Sequence, residues 1–198
     1  MKVDARRSYR MVARAQSAAE TGERILDAAV EAFWERPGEQ VTLDEVAQRA
    51  GVAVQTVIRR FGGREGLFAA AAEREGDRVR RQRDEASAGD VGGAVRVLVD
   101  HYEDVGDRVL RLLAEEGRAP ALRPIADRGR EYHRDWCARV FAPALDGREG
   151  VERRRRLAQL VAVCDVLTWK LLRRDAGLSR RQTELALAEL LEPLLEAP

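Results

Sequence analysis

Residues 41–67, VTLDEVAQRAGVAVQTVIRRFGGREGL, place the tightest constraint on what this chain can become. The spacing predicts two short helices joined by a tight turn. Thr42 and Glu45 stand at capping-box separation, so the threonine hydroxyl can accept from the Glu45 amide while the carboxylate returns the bond. A helix therefore starts at Leu43. Its apolar positions Leu43, Val46, Ala47 and Ala50 recur at helical spacing, which leaves Asp44, Glu45, Gln48 and Arg49 on the wet side. Gly51 ends it, because glycine takes a left-handed turn without steric cost.

The second helix is expected over about 53–61, with two unlike faces. At 100° per residue Val54, Val57 and Phe61 point one way; Gln55, Thr56 and Arg59 point the other, with Arg60 at the edge. From Gly51 to Arg64 there is no acidic residue. A helix of this kind can enter a DNA major groove, where arginine forks onto guanine, glutamine onto adenine, and threonine bonds a base or phosphate or meets a thymine methyl.

The run Thr42-Leu-Asp-Glu-Val-Ala-Gln-Arg-Ala-Gly51-Val52, then Thr56-Val-Ile-Arg-Arg-Phe61, then Arg64-Glu65-Gly-Leu67, resembles the DNA-binding domain of the tetracycline-repressor (TetR) family of bacterial regulators. Three positions depart from the family's habit, which has serine or threonine where Ala53 sits, an aromatic where Ile58 sits and lysine where Arg64 sits. Ala53 cannot cap through its side chain, and Ile58 lacks the hydroxyl that the family sets on a phosphate. The resemblance implies an all-α protein of about nine helices. An N-terminal three-helix DNA-binding domain would be followed by a larger C-terminal domain for ligand binding and dimerisation.

Around this centre the chain divides into a basic arm over 1–16, a DNA-binding domain over 17–68 and an effector and dimerisation domain over 69–198, entered by a connecting helix over 64–86. The arm carries Lys2, Arg6, Arg7, Arg10 and Arg14 against Asp4. It reads either as a solvated tail or as an arm along DNA. A first helix over 21–35 offers the stripe Ile25, Ala28, Ala29, Ala32 and Phe33 to cover the two helices above. Further helices are expected at about 93–104, 107–116 and 124–141.

The helix over 124–141 gathers Tyr132, His133, Trp136, Cys137, Val140 and Phe141 on one face. With Tyr102 and Trp169, its members Tyr132, His133, Trp136 and Phe141 are the candidate lining of a small-molecule pocket, weighed against plain core. From about 151 to 174 the chain reads as one helix, apolar on nearly every side between Leu157 and Leu172. A last helix follows the Ser179–Gln182 capping box. Leu157, Leu160, Val161, Cys164, Thr168, Leu171, Leu187, Leu190, Leu191 and Leu194 are the candidate dimer interface, because two such helices offer more apolar surface than one chain covers.

Other chemistries lack their residues. His133 and Cys137 are one turn apart, but His101 is the only other histidine, so no metal site is expected. No cofactor and no catalytic constellation is expected either. A net charge of +1 excludes a protein that coats nucleic acid indiscriminately. No apolar run reaches the roughly 18 residues of a membrane helix, so no membrane partner is expected and the protein should be cytoplasmic. The combined expectation is a homodimeric repressor that reads a palindromic operator in double-stranded DNA and is released by a small-molecule effector. Base or nearby phosphate contacts fall to Gln55, Thr56, Arg59 and Arg60, and Thr42 and Arg64 clamp phosphates on either side. The competing readings are a helical ligand-binding or scaffold protein whose helix-turn-helix no longer binds DNA, and a small helical enzyme using His101 and His133.

Overall fold

A computed structural model describes the backbone of residues 2–36, 40–118 and 120–195, and side chains from residue 16 onwards apart from residue 121. Those residues contain helices and turns and no strand. The chain divides into two compact units, Met1–Glu75 and Gly76–Pro198.

The first unit holds α1 (Lys2–Glu35), α2 (Leu43–Ala50), α3 (Val54–Phe61) and the first half of α4 (Arg64–Arg83). The expected stripe forms its core: Ile25, Ala28, Ala29 and Ala32 of α1 are buried with Val46, Ala47 and Ala50 of α2 and Val57 of α3. Small alanines let α1 and α2 approach closely. Leu67 and Ala71 close the far side, and Phe68 meets Phe33 edge to face with ring centroids 4.4 Å apart. The first helix does not begin near Thr21. It extends back to Lys2, with no proline or glycine to stop it, and the Thr21 hydroxyl donates to the Ser17 carbonyl at 2.8 Å as a mid-helix threonine does. The arm's basic side chains lie outside the described residues.

The second unit holds the rest of α4, then α5 (Val91–Glu115), a 3-10 turn (Pro120–Leu122), α6 (Arg123–Val140), α7 (Ala142–Leu145), α8 (Gly150–Val163), α9 (Val166–Lys170), a π turn (Leu171–Asp175) and α10 (Arg180–Leu195). Its core is built round Leu98, Tyr102, Trp136, Phe141, Leu160, Trp169, Leu187 and Leu191. The Ser179 box closes in both directions: Ser179 donates its amide to Gln182 Oε1 at 3.0 Å, and the Gln182 amide donates to Ser179 Oγ at 3.3 Å.

Two expected boundaries move. The helices anticipated at 93–104 and 107–116 are one helix, because Gly106 packs rather than punctuates. A Cβ there would lie 2.6 Å from the Trp169 ring, so α5 carries a glycine where the indole crosses it. Conversely, the single helix anticipated over 151–174 breaks at Cys164. Asp165 caps α9 by accepting from the Leu167 amide at 2.9 Å, and the Thr168 hydroxyl takes up the Ala162 carbonyl at 2.6 Å. An apolar run hides such a break, since only the one aspartate marks it.

Gly106→Ala should lower stability by about 1–2 kcal/mol, the cost of overpacking exceeding the helix-propensity gain. Urea unfolding followed by helical circular dichroism reads this, and a stabilised variant would show that the indole yields.

Candidate nucleic-acid interface and buried cluster

The interface begins with how α3 is mounted. Thr42 is extended and its hydroxyl accepts from the Glu45 amide at 3.2 Å, as the capping spacing requires. The return bond of the box does not form. The Glu45 carboxylate is held instead by Arg36 and by Arg49, the latter at 2.7 Å. Charge-assisted pairs win over a neutral amide for the same oxygen. Arg49 also forks onto Glu35 at 2.6 and 2.9 Å and, by that hydrogen bond above all, holds the Glu35 carboxyl below its ordinary value. Gly51 takes φ 65°, and its amide turns back to the Ala47 and Gln48 carbonyls.

The chain then enters α3 at Ala53, extended and without a side-chain cap. Val57 is fully buried and Val54 and Phe61 are half-buried, which fixes the inner face. On the outer face Gln55 and Arg59 are exposed and Thr56 is half-buried. Ile58 is also exposed, at 38%, and extends the outward surface with an apolar patch. Arg60 is turned the other way. Its Nη1 donates to the Ala18 carbonyl at 2.7 Å and its guanidinium lies over the Phe61 ring at 6.0 Å. Gly22 makes this possible, since a Cβ there would sit 2.3 Å from the guanidinium. Arg60, though exposed like Arg59, therefore straps α3 to α1. Thr42 is exposed, and Arg64 is exposed while its Nε donates to the Val41 carbonyl at 3.1 Å.

In the second unit Tyr102, Tyr132, His133 and Trp136 gather round Arg83, a residue for which the sequence analysis gives no role. Arg83, at the end of α4, is 2% exposed. Its guanidinium lies 4.9 Å from the Trp136 ring centroid, 5.5 Å from that of Tyr102 and 6.0 Å from that of Tyr132. Nη1 donates to His133 Nδ1 at 3.0 Å, and Nη2 donates to the Tyr102 hydroxyl at 3.2 Å. Because a guanidinium only donates, His133 carries its hydrogen on Nε2, facing the Val161 carbonyl at 3.3 Å. The Tyr102 hydroxyl passes its own hydrogen to the Cys164 carbonyl at 3.0 Å, and Trp136 Nε1 donates to the Arg83 carbonyl at 3.0 Å.

Burial and this charge set the titrations around it. His101 is pushed down to about 2 by burial and then by the Arg83 charge, and burial pushes the Tyr102 phenol up. The Cys137 thiol is drawn down to about 6, first by its hydrogen bond with Cys164 and also by His133 and Arg83. A helical-spacing signal for Arg83 was present: Val79, Arg83 and Ala86 fall at i, i+4 and i+7 on one face, with Ala86 buried.

Trp136, Phe141 and Trp169 are fully buried, and Tyr132 is half-buried. Phe141 meets the Trp136 ring edge to face, and Trp169 Nε1 donates to Glu103 Oε1 at 3.3 Å. These two are core rather than part of the shell round Arg83. The candidate interface residues separate as well. Leu157, Leu160, Cys164, Leu187 and Leu191 are buried within the unit's own core, Val161, Thr168 and Leu194 are half-buried, and Leu171 and Leu190 are exposed. Leu167 and Leu185 join them at 55% and 54% exposure, two residues the apolar stripes had missed. The break at Cys164 starts α9 in a new register, and Leu167, absent from the expected interface, lies just beyond it. Among the described residues no group of three or more potential metal ligands gathers.

Residues 25–71 match the family model of the bacterial regulatory proteins of the tetR family. No curated protein matches the chain. Among solved structures, a transcriptional regulator from Rhodococcus sp. Rha1 is similar at 22% identity and a TM-score of 0.64, over 89% of this chain and 99% of that one. A tetR-family transcriptional regulator from Streptomyces coelicolor is similar at 22% identity and a TM-score of 0.63, over 89% and 80%. SmeT, solved in complex with triclosan, is similar at 20% identity and a TM-score of 0.65, over 90% and 98%. At these identities the structural likeness establishes a common fold, and the match over residues 25–71 adds the domain that defines the group. With its helix-turn-helix built on that pattern, the segment 25–71 is a DNA-binding domain of the kind found in the bacterial regulatory proteins of the tetR family, and the chain as a whole shares the fold of those regulators.

Proposed function

We propose that this regulator is a homodimeric repressor that reads a palindromic operator with α3 and is released by a small molecule held in the second unit. The observation that carries the DNA reading is the asymmetry of α3. Val57 is fully buried on one side, while Gln55 and Arg59 stand exposed on the other in a segment without an acidic residue. Arginine and glutamine are the side chains that fork onto guanine and adenine. Exposed Ile58, standing where the family has an aromatic, offers a thymine methyl an apolar contact. Thr42 and Arg64, on the flanks of α3, take phosphates, and their role is to position rather than to specify.

A second copy of the chain covers the leucines at α9 and α10. Leu167, Leu171, Leu185 and Leu190 are all about half exposed, a density of apolar side chains that marks interaction surfaces. Two recognition helices set about 34 Å apart, or a multiple of it, then match a palindrome. The effector reading draws on SmeT, whose solved complex holds triclosan, and on the cluster round Arg83. A ligand that favours a DNA-incompetent arrangement of the dimer shifts the population towards it. No observation favours a scaffold role, and the tetR-family match over residues 25–71 with the shared fold supports a regulator rather than an enzyme.

Selection of bound sequences from random DNA should enrich a palindrome; enrichment of no motif would remove the operator reading. Arg59→Ala should weaken binding to that palindrome by about 1–3 kcal/mol and relax one position of each half-site. Arg60→Ala should instead lower the thermal stability of the first unit and leave base preference intact. An unchanged melting temperature together with altered preference would reverse the two roles. In sedimentation, the wild type should be dimeric at micromolar concentration, and Leu171→Glu with Leu190→Glu should give folded monomers. A wild-type monomer would refute the pairing.

A further inference from the structure

The cluster round Arg83 is electrostatically incomplete. Burying a guanidinium is costly unless an anion or a full set of acceptors replaces its water. Among the described residues no carboxylate pairs with Arg83, and its two acceptors, His133 Nδ1 and the Tyr102 hydroxyl, are neutral groups. Its Nε is buried with no hydrogen-bond partner, and the hydroxyl of Tyr132, whose ring faces the guanidinium, is likewise buried and unpartnered. Cys137, whose thiol the Arg83 charge also reaches, does not bond the Nε edge: His133 bonds Arg83 through Nδ1 and meets the Cys137 sulfur at 3.8 Å through Nε2, and Nε is left without a partner.

Unmet donors of this kind define their acceptor. The Nε edge of a guanidinium offers parallel hydrogens to a planar oxoanion. The faces of Tyr102, Tyr132 and Trp136 supply walls that suit an apolar body. Tyr132 is the least buried member of the shell, and the Arg80 and Arg139 charges act on it; Asp84, the acid that also acts there, is held by Arg139 at 2.7 Å.

We propose that the second unit binds a small organic acid with an apolar body, its carboxylate taken by Arg83 Nε and the Tyr132 hydroxyl and its body lying against the Tyr132 and Trp136 rings. This deepens the effector reading and rests on it for any consequence at DNA. Binding itself is independent of DNA, so the two can fail separately.

The test uses the full chain without DNA, titrated with benzoate, indole-3-acetate and octanoate, each against its neutral amide. Melting temperature and tryptophan fluorescence are the readouts. At least one acid should raise the melting temperature and change the emission saturably, with its amide at least tenfold weaker. Tyr132→Phe should cut that acid's affinity about 3- to 10-fold without loss of fold, and Arg83→Met should abolish it. Should Arg83→Met fail to fold, Tyr132→Phe decides. Equal binding of acid and amide, acid affinity unmoved by Tyr132→Phe, or no response to any of the three acids would overturn the assignment. A protein that binds the acid but selects no DNA sequence would sink the regulator reading alone; one that selects an operator and ignores the acids would sink this inference alone.

Discussion

The first unit depends on one side of α3 being held dry. Val57 is fully enclosed by α1, α2 and the start of α4, and because the helix is only eight residues long, one such anchor fixes its rotation. An isolated helix of that length is unstable in water, so its existence derives from packing rather than from propensity. Ala53 gives it no side-chain cap. Arg60 replaces part of that missing restraint by tying the helix to the Ala18 carbonyl through the gap above Gly22. A short helix gripped along one side presents its other side at a defined angle, which a loop could not do.

The second unit is held by larger and more polar means. Tyr102, Trp136 and His133 each combine burial with a hydrogen bond to a specific partner, and Arg83 links all three. Arg83 is also where apolar packing gives way to unmet polarity. A core of leucines alone would be more stable, so a cation retained in this position is more readily understood as part of a binding function than of a fold.

Legibility in the sequence followed the range of the interactions. The α2–turn–α3 segment was readable because its determinants are local: a capping hydroxyl three residues from the amide that donates to it, a glycine at the turn, and a period of 3.6. The α1 stripe was readable for the same reason. The gap expected between 104 and 107 does not form, and Gly106 within it admits an indole, a role invisible until Trp169, 63 residues on, is brought against it. Asp165 was overlooked within an apolar run, and Leu167, two residues beyond it, was left out of the expected interface although Leu171 was included. Arg83 lay among RVRRQRDEA, where only its register with Val79 and Ala86 set it apart.

The diversion of Glu45 from the cap has a wider effect than the loss of one hydrogen bond. Glu45 and Glu35 are the carboxylates that α1 and α2 place beside Arg36 and Arg49, and both are spoken for by those guanidinium groups. Their negative field is cancelled within a few ångströms, so the positive potential of Arg59 extends into solvent undiminished by them. A molecule of almost no net charge can thereby approach a polyanion with one end foremost. Its rate of encounter would fall as added electrolyte shortens the Debye length, although its average charge gives no hint of such sensitivity.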